Sequence, residues 1–278
     1  MNTDKSIAAM VSATNSALCN FALLHSVGLG LYPRRNHVEN GSGTLFKVGG
    51  HYFIATAAHC VRDLNLDQIR VAYRDSKHSD NFALRKKGST GGTKGDPCDV
   101  AYLELDGSAL EPMPAQFLTL DQIALEYNVT ESMGFLFGFP SELVPKDAAL
   151  KRQFRLRSLG LLTLLVKEGD PVPDFVDKNT DVVVKYPEQA IQGDGKDLHP
   201  VPHPEGISGG SIWIYNPDPD TRVIGSHNAR FIGIQKSWFR SQRIAIGNKV
   251  IVWLRLLVRD YPDLRETLDQ KFGVNMAR

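Results

Sequence analysis

The sequence predicts an all-β body with a helix at each end. Three observations carry this. Short apolar segments recur between clusters of Gly, Pro, Asn and Asp, the pattern of strands separated by turns. Gly49-Gly50 falls between two such segments, which is a tight hairpin signal. Helical spacing of apolar residues is confined to the chain ends. Many short strands with turns at this spacing close into a sandwich or into barrels. With 278 residues, 42% of them hydrophobic, the chain can bury a sizeable core.

Taken in order, the first element is a surface helix over about Thr3 to Cys19, with an apolar face through Ile7, Met10, Val11 and Leu18. No Asp, Glu, Lys or Arg occurs between Lys5 and Arg34, yet Ser6, Ser12, Thr14, Asn15, Ser16 and Asn20 interrupt the apolar residues. That is too polar for a membrane span and gives a secretory leader no clean apolar centre. Strands are expected at Phe21–Leu31, Gly43–Val48, His51–Ala57, Gln68–Tyr73, Val100–Leu105, Ser132–Gly138, Arg152–Leu165, Asp181–Tyr186, Ser211–Tyr215 and Ala229–Gln235. Residues 167–200, rich in Asp, Pro and Gly around one short strand, read as long surface loops. Val250, Leu254, Leu257 and Val258 then repeat at helical spacing, and Pro262 ends or kinks that helix. The expected division is an N-terminal extension (1–20), two β-rich halves (21–125 and 126–248) and a C-terminal helix (249–278).

A net charge of +1 gives no basic face for nucleic acid or an acidic membrane surface. Cys19, Cys60 and Cys98 match no zinc spacing, and an odd, low count argues against a disulfide framework, including a Cys60–Cys98 bridge. It favours a reducing, cytoplasmic setting. His199 and His203 lack metal-ligand companions, so no metal site is expected. Gly88–Gly95 imitates a phosphate loop, but Lys94 is neither preceded by Gly nor followed by Ser or Thr. Lys151–Arg157 alternates basic and apolar residues, the pattern of a strand with a solvated charged face.

Chemistry concentrates in three short segments: Thr56-Ala57-Ala58-His59-Cys60, Asp99-Val100-Ala101, and Gly206-Ile207-Ser208-Gly209-Gly210. A serine hydroxyl is a weak nucleophile at neutral pH and needs an adjacent base, for which imidazole is suited. The imidazole needs a carboxylate to fix its tautomer. The tetrahedral intermediate needs backbone N–H donors at its oxyanion. His59, Asp99 and Ser208 supply the first three roles, and the N–H groups of Gly206 and Ser208 the last. Asp96 competes with Asp99, which is preferred because the run Val100-Ala101-Tyr102-Leu103 follows it directly.

These segments resemble the motifs of the trypsin/chymotrypsin-like serine peptidases over roughly residues 20 to 260, with the look of a prokaryotic member. The resemblance implies two six-stranded antiparallel β-barrels with the site in the cleft between them. It implies a serine endopeptidase acting on protein or peptide substrates, with His59 as base, Asp99 as its orienter, Ser208 as nucleophile and no cofactor. Two departures stand out. Ile207 occupies the place where activated members carry an acid that pairs with a new N-terminus, so no zymogen cleavage of that type is expected. Ungapped counting puts Pro202 at the base of the specificity pocket, so an apolar or small residue is expected before the scissile bond, with Ser237-Trp238-Phe239 as a wall.

Two rival readings fit part of the pattern. Gly-Ile-Ser-Gly-Gly also fits the nucleophile elbow of α/β-hydrolases, but that fold needs the order Ser, acid, His, and His227 is the only histidine after Ser208. A latent or non-catalytic regulatory module on a peptidase fold, waiting for a protein partner to order its site, is the alternative from another class.

Overall fold

Two curled six-stranded antiparallel sheets form the body, with helices at both ends. The computed structural model describes residues 2–34, 37–73, 82–91, 97–110, 116–130, 132–143, 157–167, 169–191, 198–216 and 226–276. The first sheet holds β1 (Ser26–Arg34), β2 (His37–Val48), β3 (His51–Thr56), β4 (Ile69–Ala72), β5 (Leu84–Ser89) and β6 (Ala101–Leu105), in the order β4-β1-β2-β3-β6-β5. Val27, Leu29 and Leu31 face inward at the period of two that a pleated strand imposes, and meet Leu45, Ile54 and Leu103 in a core of their own. Gly49 turns the β2–β3 hairpin at φ +58°, as the Gly-Gly signal predicts.

The second sheet holds β7 (Met133–Gly138), β8 (Leu159–Leu164), β9 (Asp181–Lys185), β12 (Ser211–Tyr215), β13 (Ala229–Phe239) and β14 (Ile244–Lys249), in the order β8-β7-β12-β13-β14-β9. Leu136, Leu161, Val182, Val184, Ile212 and Ile232 fill its interior. A small hairpin, β10 (Gln189–Ile191) with β11 (Leu198–Pro200), stands apart from both sheets.

The seam between the sheets is aromatic. Trp253, Leu254 and Leu257 of helix α3 (Val250–Asp260) join Phe46 and Phe53 of the first sheet and Trp213 and Phe231 of the second in one buried cluster. The Trp253 ring lies 4.8 Å from that of Phe46. Truncating one buried aromatic of this kind costs about 3–5 kcal/mol, so α3 is a structural keystone. Pro262 opens a short 3-10 turn after it, and α4 (Arg265–Phe272) follows.

The N-terminal helix α1 spans Asn2–Leu24, overrunning the expected end at Cys19 and taking Phe21–Leu24 from the expected first strand. Packing explains the extension. Leu18 and Ala22, one turn apart, are buried, and Phe21 sets its ring edge-on to Trp213 at 5.5 Å. The buried face also differs from the expected one: Ile7 and Met10 are exposed. Asn15 instead seats the helix, donating from Nδ2 to Gly160 O (3.2 Å) and accepting from Leu162 N–H (3.0 Å). Since β8 is an edge strand, Asn15 satisfies backbone groups that its sheet leaves unpaired. By length and composition Ile7–Leu24 would be able to cross a membrane; its second half packs here on protein.

Strands β5 and β14 have no counterpart among the expected elements. Leu84-Arg85-Lys86-Lys87-Gly88-Ser89 is an edge strand whose charged residues hide its pattern. Ile244–Lys249 runs directly into the periodic helix and is masked by it. Of the expected strand Arg152–Leu165, residues 157–165 are described and Leu159–Leu164 form β8; residues 151–156 of the basic run lie outside the described residues. Cys19, Cys60 and Cys98 form no disulfide with one another.

Candidate active site

His59 sits on a one-turn helix, α2 (Ala58–Val61), that begins where β3 ends. Apolar Ala57, Ala58 and Val61 anchor the turn in the first core and leave the His59 side chain 43% exposed at its surface. Lys87 clamps the far side of the turn, donating from Nζ to Val61 O (2.7 Å), Arg62 O (2.9 Å) and Leu64 O. These carbonyls are the ones a helix end leaves without partners.

Asp99 meets His59 in two ways. Its Oδ1 accepts the His59 backbone N–H at 2.8 Å and its Oδ2 pairs with Nδ1 at 2.5 Å. The Asp99 pKa is lowered: burial pushes it up, but the hydrogen bond from His59, its charge, its backbone N–H and the Lys236 cation together outweigh that. An ionised Asp99 accepts only, so Nδ1 carries the proton, which leaves Nε2 as the basic nitrogen of the neutral ring. The hydrogen bond to Asp99 raises the His59 pKa above 6.5, helped by a further bond to the Cys60 sulfur and against the effect of burial. Asp96, the rival carboxylate, lies outside the described residues.

Ser208 is brought against the His59 turn from the other sheet. Its carbonyl accepts the Ser42 N–H at 2.8 Å and the Cys60 thiol at 3.7 Å. Gly209, at φ +86°, packs so closely that a Cβ there would fall 2.1 Å from both Ser42 O and Thr56 Oγ1. Only glycine fits that conformation and that gap. Among the described residues no hydrogen bond joins the Ser208 hydroxyl to His59; such contacts commonly tighten only when substrate binds.

The N–H groups of Gly206 and Ser208 are oriented by the carbonyls beside them. Glu205 O accepts from Ser141 N–H at 2.7 Å and Ile207 O from Gly210 N–H at 2.7 Å. In a trans peptide the N–H points opposite to the C=O. The N–H groups of Gly206 and Ser208 are therefore turned away from those partners. Gly206 holds φ +90°, and a Cβ there would strike Ser141 N at 2.7 Å. Ile207 is fully buried in the second core, so packing anchors the loop where the resemblance expects an acid.

Ser42 is the main residue that sequence reasoning missed. It lies on β2 yet braces the loop of the opposite sheet: its hydroxyl donates to Gly206 O (2.9 Å) and accepts from Phe139 N–H (2.9 Å). Its carbonyl takes the Thr56 hydroxyl at 2.8 Å. The signal available was its setting, Gly41-Ser42-Gly43, a small polar residue between glycines where two chain segments approach.

Ahead of Ser208 in the chain, Pro202 O accepts the Tyr186 hydroxyl at 2.6 Å. Trp238 stands beside them, 6.2 Å from the Tyr186 ring and 5.0 Å from that of His203. This wall is aromatic, and Glu142 is engaged with the His203 N–H at 2.6 Å.

No family model and no curated protein sequence matches the chain. Solved structures do. HL collagenase superposes with a TM-score of 0.51 at 15% identity, over 91% of this chain and 94% of its own. The inactivated protease paralogue S-D1 of the scabies mite gives 0.51 at 13%, over 90% and 94%. A thermostable serine protease, AL20, from an extremophilic microorganism gives 0.48 at 12%, over 95% and 100%. The architecture is thus the one used by trypsin-like serine proteases. Identities this low speak for the fold alone, and an inactivated paralogue on the same fold leaves the chemistry to the site.

Proposed function

We propose that this chain is a serine endopeptidase that cleaves peptide bonds through an acyl-enzyme on Ser208. The observation that carries the reading is the His59–Asp99 couple, joined at 2.5 Å and facing the loop that holds Ser208. In this scheme Ser208 Oγ attacks the scissile carbonyl carbon and its proton passes to His59 Nε2. Asp99 stabilises the resulting imidazolium, and the N–H groups of Gly206 and Ser208 receive the oxyanion. Collapse of the intermediate expels the amine, which takes the proton from Nε2. Water then enters by the same route and releases the acid. Each proton and electron pair comes from the chain, the substrate or water.

The test is covalent. A fluorophosphonate probe is expected to label the full chain once, with the adduct mapped by mass spectrometry to the peptide containing Ser208. A native protein that takes no adduct, or takes it elsewhere, would overturn the reading in favour of a latent or binding module.

Pro202 and the aromatic wall of Tyr186 and Trp238 support a preference for an apolar residue before the scissile bond. Cleavage of a peptide library is expected to enrich such residues at that position. Enrichment of Lys or Arg there would refute it.

A further inference from the structure

A buried polar network stands behind Asp99, and the fold alone does not require it. Asn248 at the end of β14 accepts the Asp99 backbone N–H on Oδ1 at 2.7 Å. Its Nδ2 donates to Asp181 Oδ1 at 2.8 Å and to Thr180 O at 3.4 Å. Those donor bonds fix the amide so that its oxygen, the only acceptor it has, faces Asp99. Asp181 Oδ1 also takes Lys236 Nζ at 2.7 Å, and Lys236 reaches on to Pro97 O at 2.8 Å. The chain segment 97–99 of the first half is therefore gripped at two points by side chains of the second sheet.

The network is deeply buried: the Asp181 side chain is 0% exposed and that of Lys236 11%, and Asn248 is fully buried. An ion pair taken this far from water loses in desolvation much of what it gains in attraction, and apolar residues of similar volume commonly serve stability as well or better. What such a pair supplies is a fixed geometry. Here the geometry fixed is that of the carboxylate that holds His59.

We propose that Asn248, Lys236 and Asp181 are positioning residues, a relay from the second sheet that sets Asp99 and through it the orientation of His59. The inference rests on the peptidase reading for its consequence in catalysis, and on the hydrogen bonds above for its geometry. The charged groups facing Asp99 are His59 on α2 and Lys236 on β13, with Asp181 of β9 behind Lys236. The Lys236 cation also favours the ionised form of Asp99.

Two measurements on the full chain test it. The first is the rate of fluorophosphonate labelling per folded molecule, followed against pH. Asn248→Ala is expected to slow labelling by about 10- to 100-fold, the scale of a small misplacement of a catalytic group, and to move the pH midpoint down toward that of free imidazole. Lys236→Met leaves a buried carboxylate unpaired and risks misfolding. The double change Lys236→Met with Asp181→Asn removes both charges together and is expected to slow labelling on the same scale. Labelling at the wild-type rate per folded molecule in Asn248→Ala and in the double variant would overturn the relay and leave the peptidase reading intact. The second measurement needs no turnover. The downfield proton of His59 Nδ1, seen by NMR, is expected to broaden or move upfield in Asn248→Ala. An unchanged resonance overturns the relay even in a chain that the probe does not label, whereas failure of the wild-type chain to label at Ser208 marks failure of the peptidase reading.

Discussion

Replacing Ser208 by Ala is expected to lower peptide turnover by about 10⁶-fold, the loss seen when the nucleophile of a serine protease is removed. The fold should survive. Ser208 is half-buried, and the bonds that hold its loop are made by backbone atoms: Ser208 O to Ser42 N–H, Gly209 N–H to Gln235 O, and Gly210 N–H to Ile207 O. Deleting one hydroxyl oxygen touches none of them. The experiment therefore separates chemistry from structure: the variant should keep its thermal midpoint and still bind peptide, yet turn over almost none. Residual turnover near the wild-type rate would mean that another group does the chemistry.

Asp99→Asn is expected to cost about 10⁴-fold in the acylation rate, with less effect on peptide binding. Asparagine keeps the size of the side chain, and one amide oxygen can still accept the His59 N–H that Oδ1 takes now at 2.8 Å. The amide NH₂ would then face Nδ1, and a donor there selects the tautomer whose proton lies on Nε2, where a base needs its lone pair. The pH profile gives a second reading. In the proposed mechanism His59 acts as a base only when neutral, so activity is expected to rise as pH passes its pKa. The Asp99 hydrogen bond raises that pKa above 6.5, which places the acidic limb of the wild-type profile above that of a free imidazole. Removing the carboxylate's charge takes away what stabilises the cation, so in Asp99→Asn the limb moves to lower pH while the plateau falls. A limb that stays in place would show that Asp99 does not govern His59.

Much of this architecture is legible in the sequence, for identifiable reasons. Ser211–Tyr215 and the β2–β3 hairpin announce themselves because apolar content and turn glycines mark their ends. The segments that hold His59, Asp99 and Ser208 are legible because they set residue types suited to the proposed chemistry in distinctive local settings. The run Phe21–Leu24 misleads because four apolar residues fit helix and strand alike, and only the burial of Leu18 and Ala22 against the second half decides between them. Strand β5 is hidden for the opposite reason: an edge strand needs charge more than it needs a pattern. Of the residues that brace the site, Ser42 is marked only by its flanking glycines, and Asn248, Lys236 and Asp181 are invisible locally. Each acts on a segment distant in sequence, Asn248 on Asp99 across 149 positions, and a partner so far away leaves no trace in spacing.

The seat of α1 has a bearing on maturation. Peptidases are often made silent and switched on by clipping the chain near its start. Here a cut after Cys19 would strip away the cover of an edge: Asn15 would leave Gly160 O and Leu162 N–H without partners, and the ring contact of Phe21 with Trp213 would lose its support. The clipped product would expose the bare edge of β8, a surface suited to pairing with another copy of itself. Cutting after Cys19 is therefore expected to promote self-association, read as a rise in mass by light scattering, rather than to switch activity on.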